Sequence, residues 1–218
     1  MFYPYPQHQF YKFIIGNLPQ KKYSSIVDGP CGYGYITSKV ASSADVRQVI
    51  GIDLGSDCIS HARRIYGKGV NGNLDYAEKD IHQFLNAMDS FDGYLLVNSI
   101  FLLPEPEKIL ASIHSKLSSD GALVVIIPNV DSKNFINFQK IDPELNKLIL
   151  TKEQAEKFFL EHGFKTEKVK PLAFSYFFGN KLLPFTWKFR NLYLCVTSCI
   201  NKALGRKSNY WGFVLSKK

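Results

Sequence analysis

Between residues 24 and 129, short β-rich runs alternate with helix-patterned segments, and no feature restricts the fold more. "YSSIVDG" (23–29), "QVIGIDL" (48–54), "FDGYLLVNSI" (91–100) and "ALVVIIPN" (122–129) are apolar strand candidates, with "NLDYAEKDI" (73–81) a weaker one. Between them lie "YITSKVASSAD" (35–45), "SDCISHARRIY" (56–66) and "PEPEKILASIHSKLSSDG" (104–121). The last has proline at its start, glutamates in its first turn and glycine after its end, so a helix is expected there. "TKEQAEKFFLEHGF" (151–164) reads as another helix, with Thr151 as cap and Gly163 as stop. "KTEKVKPLAF" (165–174) and "NYWGFVLSKK" (209–218) are further strand candidates. Alternation of this kind predicts an α/β fold, a mainly parallel sheet with helices on both faces. Such a sheet binds ligands at the carboxyl ends of its strands, where the strand order reverses.

The first strand runs into "DGPCGYG" and then directly into a helix. Small residues there let a backbone approach a ligand closely, and a helix N-terminus faces it. A dinucleotide fold asks for G-x-G-x-x-G, but Gly32-Tyr33-Gly34-Tyr35-Ile36-Thr37 lacks the third glycine, which disfavours a nicotinamide-dependent oxidoreductase. Asp28 stands before the glycines instead; an anion at that point repels a pyrophosphate and suits a cationic amino-acid ligand such as a sulfonium carrying an α-amino group. Pro30 occupies a glycine position and forfeits one N–H donor. Nineteen residues after Gly34, Asp53 ends the second strand, where a carboxylate can accept both hydroxyls of a ribose. Asp80 ends the third, within reach of an adenine amino group, with Ile81 beside the ring. Asp92 and its strand are expected to supply the opposite wall.

These residues resemble the class I S-adenosylmethionine-dependent methyltransferases, in particular the small-molecule group with the quinone-pathway O-methyltransferases. The resemblance covers roughly residues 20–170 and the last strand. It implies a Rossmann-like, seven-stranded, mainly parallel sheet with the last strand antiparallel, and an insert between the last two strands. It implies S-adenosyl-L-methionine as cofactor, bound by Asp28, Gly29, Pro30, Cys31, Gly32 and Gly34, by Asp53 and Leu54, by Asp80 and Ile81, and by Val97 and Asn98. In the quinone-pathway relatives a Glu and a His follow the fourth strand; here Asn98 and Leu102 stand there, which counts against a metal-assisted mechanism. "VNSIFL" also lacks the N-P-P-Y type motif of amino-methylating nucleic-acid enzymes. Methyl transfer to an acidic hydroxyl needs alignment more than a base, so catalytic residues are hard to read; His8 and Asn129 are the candidates. His82 is expected near adenine, His114 and His162 on helix surfaces.

The chain of 218 residues fits one domain with a sizeable core, and 45% apolar with 21% charged content is that of a globular protein. Residues 1–22 are an aromatic N-terminal arm with no basic and apolar leader pattern. Cys31, Cys58, Cys195 and Cys199 are read as reduced thiols in a cytoplasmic protein; no zinc pattern, and no other metal site, is evident. Net charge is +8, yet residues 1–167 hold 17 basic against 19 acidic side chains, so the excess lies in the last 51 residues. There the stretch 172–208 interleaves Lys/Arg with aromatics; its uncharged run Asn191–Asn201, of 11 residues, is too short for the ~20 that span a bilayer. Three roles suit it: a lid on the acceptor pocket, docking on anionic membrane to reach a lipid-linked acceptor, and a homodimer contact. It is not the Lys/Arg stripe of a nucleic-acid module, so no nucleic-acid partner is expected. The function expected is methyl transfer to a small-molecule substrate, most readily at oxygen; the alternative is a catalytically inactive methyltransferase-like binding module.

Overall fold

The computed structural model describes residues 6–19, 24–43, 46–67, 72–132, 150–174 and 207–218. Its elements are α1 (Pro6–Ile15), β1 (Ser25–Asp28), α2 (Tyr35–Ser43), β2 (Gln48–Asp53), α3 (Ser56–Tyr66), β3 (Leu74–Glu78), α4 (Ile81–Ala87), β4 (Phe91–Val97), a 3-10 turn (Ile100–Leu102), α5 (Pro106–Lys116), β5 (Leu117–Pro128), α6 (Lys152–Glu161), β6 (Phe164–Phe174) and β7 (Ser208–Lys217). One seven-stranded sheet runs in the order β3-β2-β1-β4-β5-β7-β6. Pairings among β1 to β5 are parallel; β7 runs antiparallel between β5 and β6. The expected Rossmann-like α/β sheet with an antiparallel last strand is the one found.

Alternating side chains split the core into two layers. Ile26 of β1 and Leu95 of β4 face one side, with Phe13 and Ile14 of α1, Val40 of α2 and Ile59 of α3. Val27, Tyr94 and Leu96 face the other, with Leu85 of α4, Leu110 of α5 and Phe159 of α6. The apolar runs of β4 and β5 are thus covered on both faces, which is why they read as nearly unbroken in the sequence.

Local chemistry sets several boundaries. Thr151 Oγ1 accepts from Gln154 N at 3.2 Å and Gln154 Oε1 accepts from Thr151 N at 2.8 Å, the reciprocal cap expected at the start of α6. Gly163, at φ 84°, follows its end. The predicted helix over 104–121 stops early, at Lys116: Leu117 already pairs with Phe91, and Ser118 Oγ donates to Asp92 Oδ1 at 3.0 Å. Tertiary pairing overrides the helical pattern there. Asp92 also takes the Ser25 N–H at 2.9 Å, so it ties together the amino ends of β1 and β4. The expectation that it walls the cofactor site is therefore corrected; it lies at the other end of the sheet.

The N-terminal arm contributes α1, which packs against α2 and β6. Phe13 lies where a Cβ on Gly212 would reach it at 2.6 Å, and Asn17 Oδ1 accepts from Lys168 Nζ at 2.9 Å. The expectations for the stretch 172–208, and for Cys195 and Cys199, fall almost wholly on residues outside those described. Among the described residues no helix is long and apolar enough to cross a membrane.

Candidate functional site

A cleft opens because β1 is short. Its last residue, Asp28, pairs with Gly51 of β2 and Leu95 of β4, so both neighbours run two residues further, to Asp53 and Val97. The loop from Gly29 to Gly34 fills that notch, pinned by Gly29 N to Leu95 O at 3.2 Å and Cys31 N to Ile52 O at 2.8 Å. Gly34, at φ 76°, is required by packing: a Cβ there would lie 2.6 Å from Tyr76 and 2.7 Å from Ala62. Tyr76 also donates its hydroxyl to Gly34 O at 2.8 Å. Gly32, at φ 53°, is different. An added Cβ would meet nothing within 4 Å, because that side of the loop is the cleft.

The cleft has a volume of about 430 Å³, within the range of small-ligand sites. It brings together Asp28, Pro30, Cys31, Gly32, Asp53, Val97 and Asn98 from the expected set. Gly29 and Gly34, the two ends of the loop, are buried, and Leu54 is 72% exposed. Asp80 is the N-cap of α4, accepting from His82 N at 2.9 Å and Gln83 N at 3.1 Å, both on Oδ1; Ile81 is buried behind it. Neither lines the cleft. Asn129 sits in the core, its amide donating to Ser208 O at 2.8 Å and its carbonyl accepting from Asp131 N at 3.1 Å. With both ends of the amide committed to backbone, it is a brace between β5 and β7 and not a catalytic group. The His8 side chain lies outside the described residues.

Sequence reasoning missed Phe10, Tyr33, Tyr35, Ile36, Ser99, Leu102 and Tyr210, which complete the lining. Tyr33, Tyr35 and Ile36 were within its reach, being next to the glycines. Ser99 and Leu102 follow β4 through Asn98, which adopts φ 56° and turns the chain across the cleft. Ser99 Oγ is buried without a hydrogen-bond partner among the described residues.

Charge in the cleft is set by two carboxylates. Asp53 Oδ2 accepts from Gly32 N at 2.7 Å and Oδ1 from Gly55 N at 2.8 Å. Asp28 is buried and accepts from Thr37 Oγ1 at 2.6 Å. Burial pushes its pKa up to about 7, with the Asp53 charge adding to the rise and the Thr37 hydroxyl opposing it. Burial and the same carboxylates push the Cys31 thiol far above its ordinary value, so it is neutral and no nucleophile. Among the described residues no group of three or more His, Cys, Asp or Glu is placed to hold a metal.

Residues 26–121, from β1 into β5, match the family model described as a methyltransferase domain. That stretch of the chain is similar to a methyltransferase domain. The cofactor this family implies is S-adenosylmethionine. An uncharacterized protein of a Synechococcus strain is 25% identical over 118 residues, 54% of this chain but only 28% of that relative. An S-adenosylmethionine-dependent methyltransferase from Archaeoglobus fulgidus shares the fold at TM-score 0.64 and 16% identity, over 97% of this chain and 94% of that one. The cyclopropane synthase MmaA2 from Mycobacterium tuberculosis does so at TM-score 0.68 and 16% identity, over 95% and 83%. At such identity the likeness concerns the fold of the methyltransferase domain and leaves its reaction open.

The donor set suits the cofactor. A carboxylate offers about four lone-pair sites, and the backbone takes one on each oxygen of Asp53. One site per oxygen is left for the two hydroxyls of a ribose. Gly32 opens onto the cleft that Asp28 and Asp53 line, and an ionised Asp28 would be the countercharge for a cationic ligand.

Proposed function

We propose that the protein methylates a small-molecule acceptor at oxygen, with S-adenosylmethionine as donor. The observation that carries this is the pair Asp28 and Asp53 flanking an open glycine loop in the notch above β1. Asp53 would hold the ribose and Asp28 the cationic methionine end; Asp80, outside the cleft lining, would take the adenine through Oδ2, which its helix cap leaves unused. When bound, the cofactor would supply a sulfonium methyl for transfer to the acceptor oxygen, leaving as the neutral thioether while the acceptor gives up its hydroxyl proton. The chain's own work is to align acceptor and donor and to exclude water. Oxygen is favoured over a nucleobase nitrogen because "VNSIFL" after β4 lacks the amino-methylating motif.

Calorimetric titration separates the alternatives. S-adenosylhomocysteine is expected to bind one per chain and NAD at least about tenfold more weakly; the reverse order would make the cleft a dinucleotide site. Binding of S-adenosylhomocysteine with no methylated product from any hydroxylated acceptor would leave an inactive binding module.

A second reading concerns where the acceptor is met. Phe174 pairs with Ser208, two residues from Tyr210 in the cleft lining. The sequence of residues 175–206, basic and aromatic, favours an acceptor met at an anionic membrane surface. Co-sedimentation with phosphatidylserine vesicles at low salt, reversed at high salt, is the expected result; no binding at either salt rejects it.

A further inference from the structure

Across the carboxyl edge of the sheet the cleft changes character. At β2 and β1 it is lined by Asp53, Gly32 and Asp28. Beyond β4 it is lined by Phe10 of α1 and Tyr210 of β7, which share a hydrophobic cluster with Tyr35 and Ile36 of α2 and with Val97. Phe10 and Tyr210 meet edge to face, ring centroids 4.8 Å apart and planes at 79°. This contact is held from both sides. Phe13, one turn along α1, seats against Gly212 two residues beyond Tyr210, and Tyr210 itself is paired to Pro128 of β5 and Leu172 of β6. A fixed aromatic corner of this kind offers the small exposed part of Phe10 and the ring and phenolic hydroxyl of Tyr210, so it rewards a flat, largely apolar partner. The two carboxylates at the other end work against an acidic one.

We propose, resting on the cofactor reading above, that Phe10 and Tyr210 are the specificity-determining wall of the acceptor site, and that the acceptor is an uncharged, flat, apolar molecule bearing a hydroxyl. The carboxylate end takes the cofactor, and the aromatic end takes the ring that carries the hydroxyl to be methylated. Tyr210 keeps its proton, since burial raises its pKa, and so adds no negative charge.

The test uses two probes of one shape, 2-naphthol and 6-hydroxy-2-naphthoate, titrated calorimetrically into the full chain saturated with S-adenosylhomocysteine. The neutral naphthol is expected to bind about tenfold tighter or more. Phe10→Ala should weaken naphthol by a similar factor while S-adenosylhomocysteine affinity stays within about threefold. Phe10→Leu keeps the apolar volume under α1 and serves if the alanine variant fails to fold; it should lose part of the naphthol affinity. Equal binding of the two probes, no naphthol binding, or naphthol binding indifferent to both Phe10 variants overturns the wall. Failure of S-adenosylhomocysteine to bind the wild-type chain counts against the cofactor reading instead, and the same naphthol series on the ligand-free protein then decides the wall alone.

Discussion

Asp53→Ala is expected to weaken S-adenosylhomocysteine binding about hundredfold or more. Two hydroxyl hydrogen bonds to a charged oxygen pair contribute roughly 1.5–3 kcal/mol each, and about 1.4 kcal/mol is a factor of ten. The same substitution also removes the acceptor for Gly32 N, at 2.7 Å, so the loop that forms the cleft floor keeps only its Cys31 N to Ile52 O tie to β2. Binding and positioning thus fail together. Asp53→Asn separates them: one amide oxygen can still accept from Gly32 N, while the charge and one acceptor edge are gone, so an intermediate loss is expected. Urea unfolding of each variant, run beside the calorimetry, distinguishes a lost ligand contact from a lost fold. Folded Asp53→Ala protein that binds S-adenosylhomocysteine within about threefold of wild type would remove this carboxylate from the site and the proposed function with it.

How much of this was legible in the sequence depends on how local the cause is. The strand, loop and helix around Asp28 to Thr37 are set by neighbouring residues, and sequence reading placed them to within a residue or two. The same holds for the cap of α6, where Thr151 and Gln154 are three apart and satisfy each other. Asp80 shows the limit of such reading. A carboxylate before a helix caps it whether or not a ligand is near, and the structure gives that role to Oδ1. Asp92 failed for a related reason. Its place in the sequence suits a wall, but only the register between β1 and β4 reveals which end of the sheet it occupies.

The aromatic end of the cleft was not legible at all. Phe10 and Tyr210 are 200 positions apart and meet because β7 inserts antiparallel between β5 and β6, carrying its first residues to the carboxyl edge. No pattern within either segment announces that meeting. Asn129 fell the other way: its position after β5 pointed to the acceptor side, and the backbone of Ser208 and Asp131 took both ends of its amide. The residues that sequence reading finds best here are those of the carboxylate end, since a loop between consecutive elements builds that end. The aromatic end is assembled from α1 and β7.

Asp28 should make both stability and ligand binding depend on pH between about 4 and 7, with opposite signs. Its folded pKa of about 7 lies above the ordinary 3.8, because burial disfavours the charged form and Asp53 is nearby. Cys31, Tyr76 and Tyr94, which also face it, are held protonated far above neutrality by their own burial, so only hydrogen bonding from Thr37 offsets its charge. Between 3.8 and 7 the folded chain holds a proton that the unfolded chain has released. Stability from this group is therefore greatest at low pH and falls as pH rises through that window. In urea unfolding, Asp28→Asn should gain on wild type by a few kcal/mol between pH 4 and pH 8, whatever its absolute stability. Ligand binding should run the other way. A site that needs Asp28 ionised to meet a cationic amino-acid group is competent only in the ionised fraction, which grows about tenfold from pH 6 to pH 8 for a group titrating near 7. S-adenosylhomocysteine affinity should rise by that factor in wild type and stay level in Asp28→Asn. If the two proteins instead show the same pH dependence of binding, Asp28 is a structural acid that no ligand meets, and the methionine end of the cofactor must be held elsewhere in the cleft.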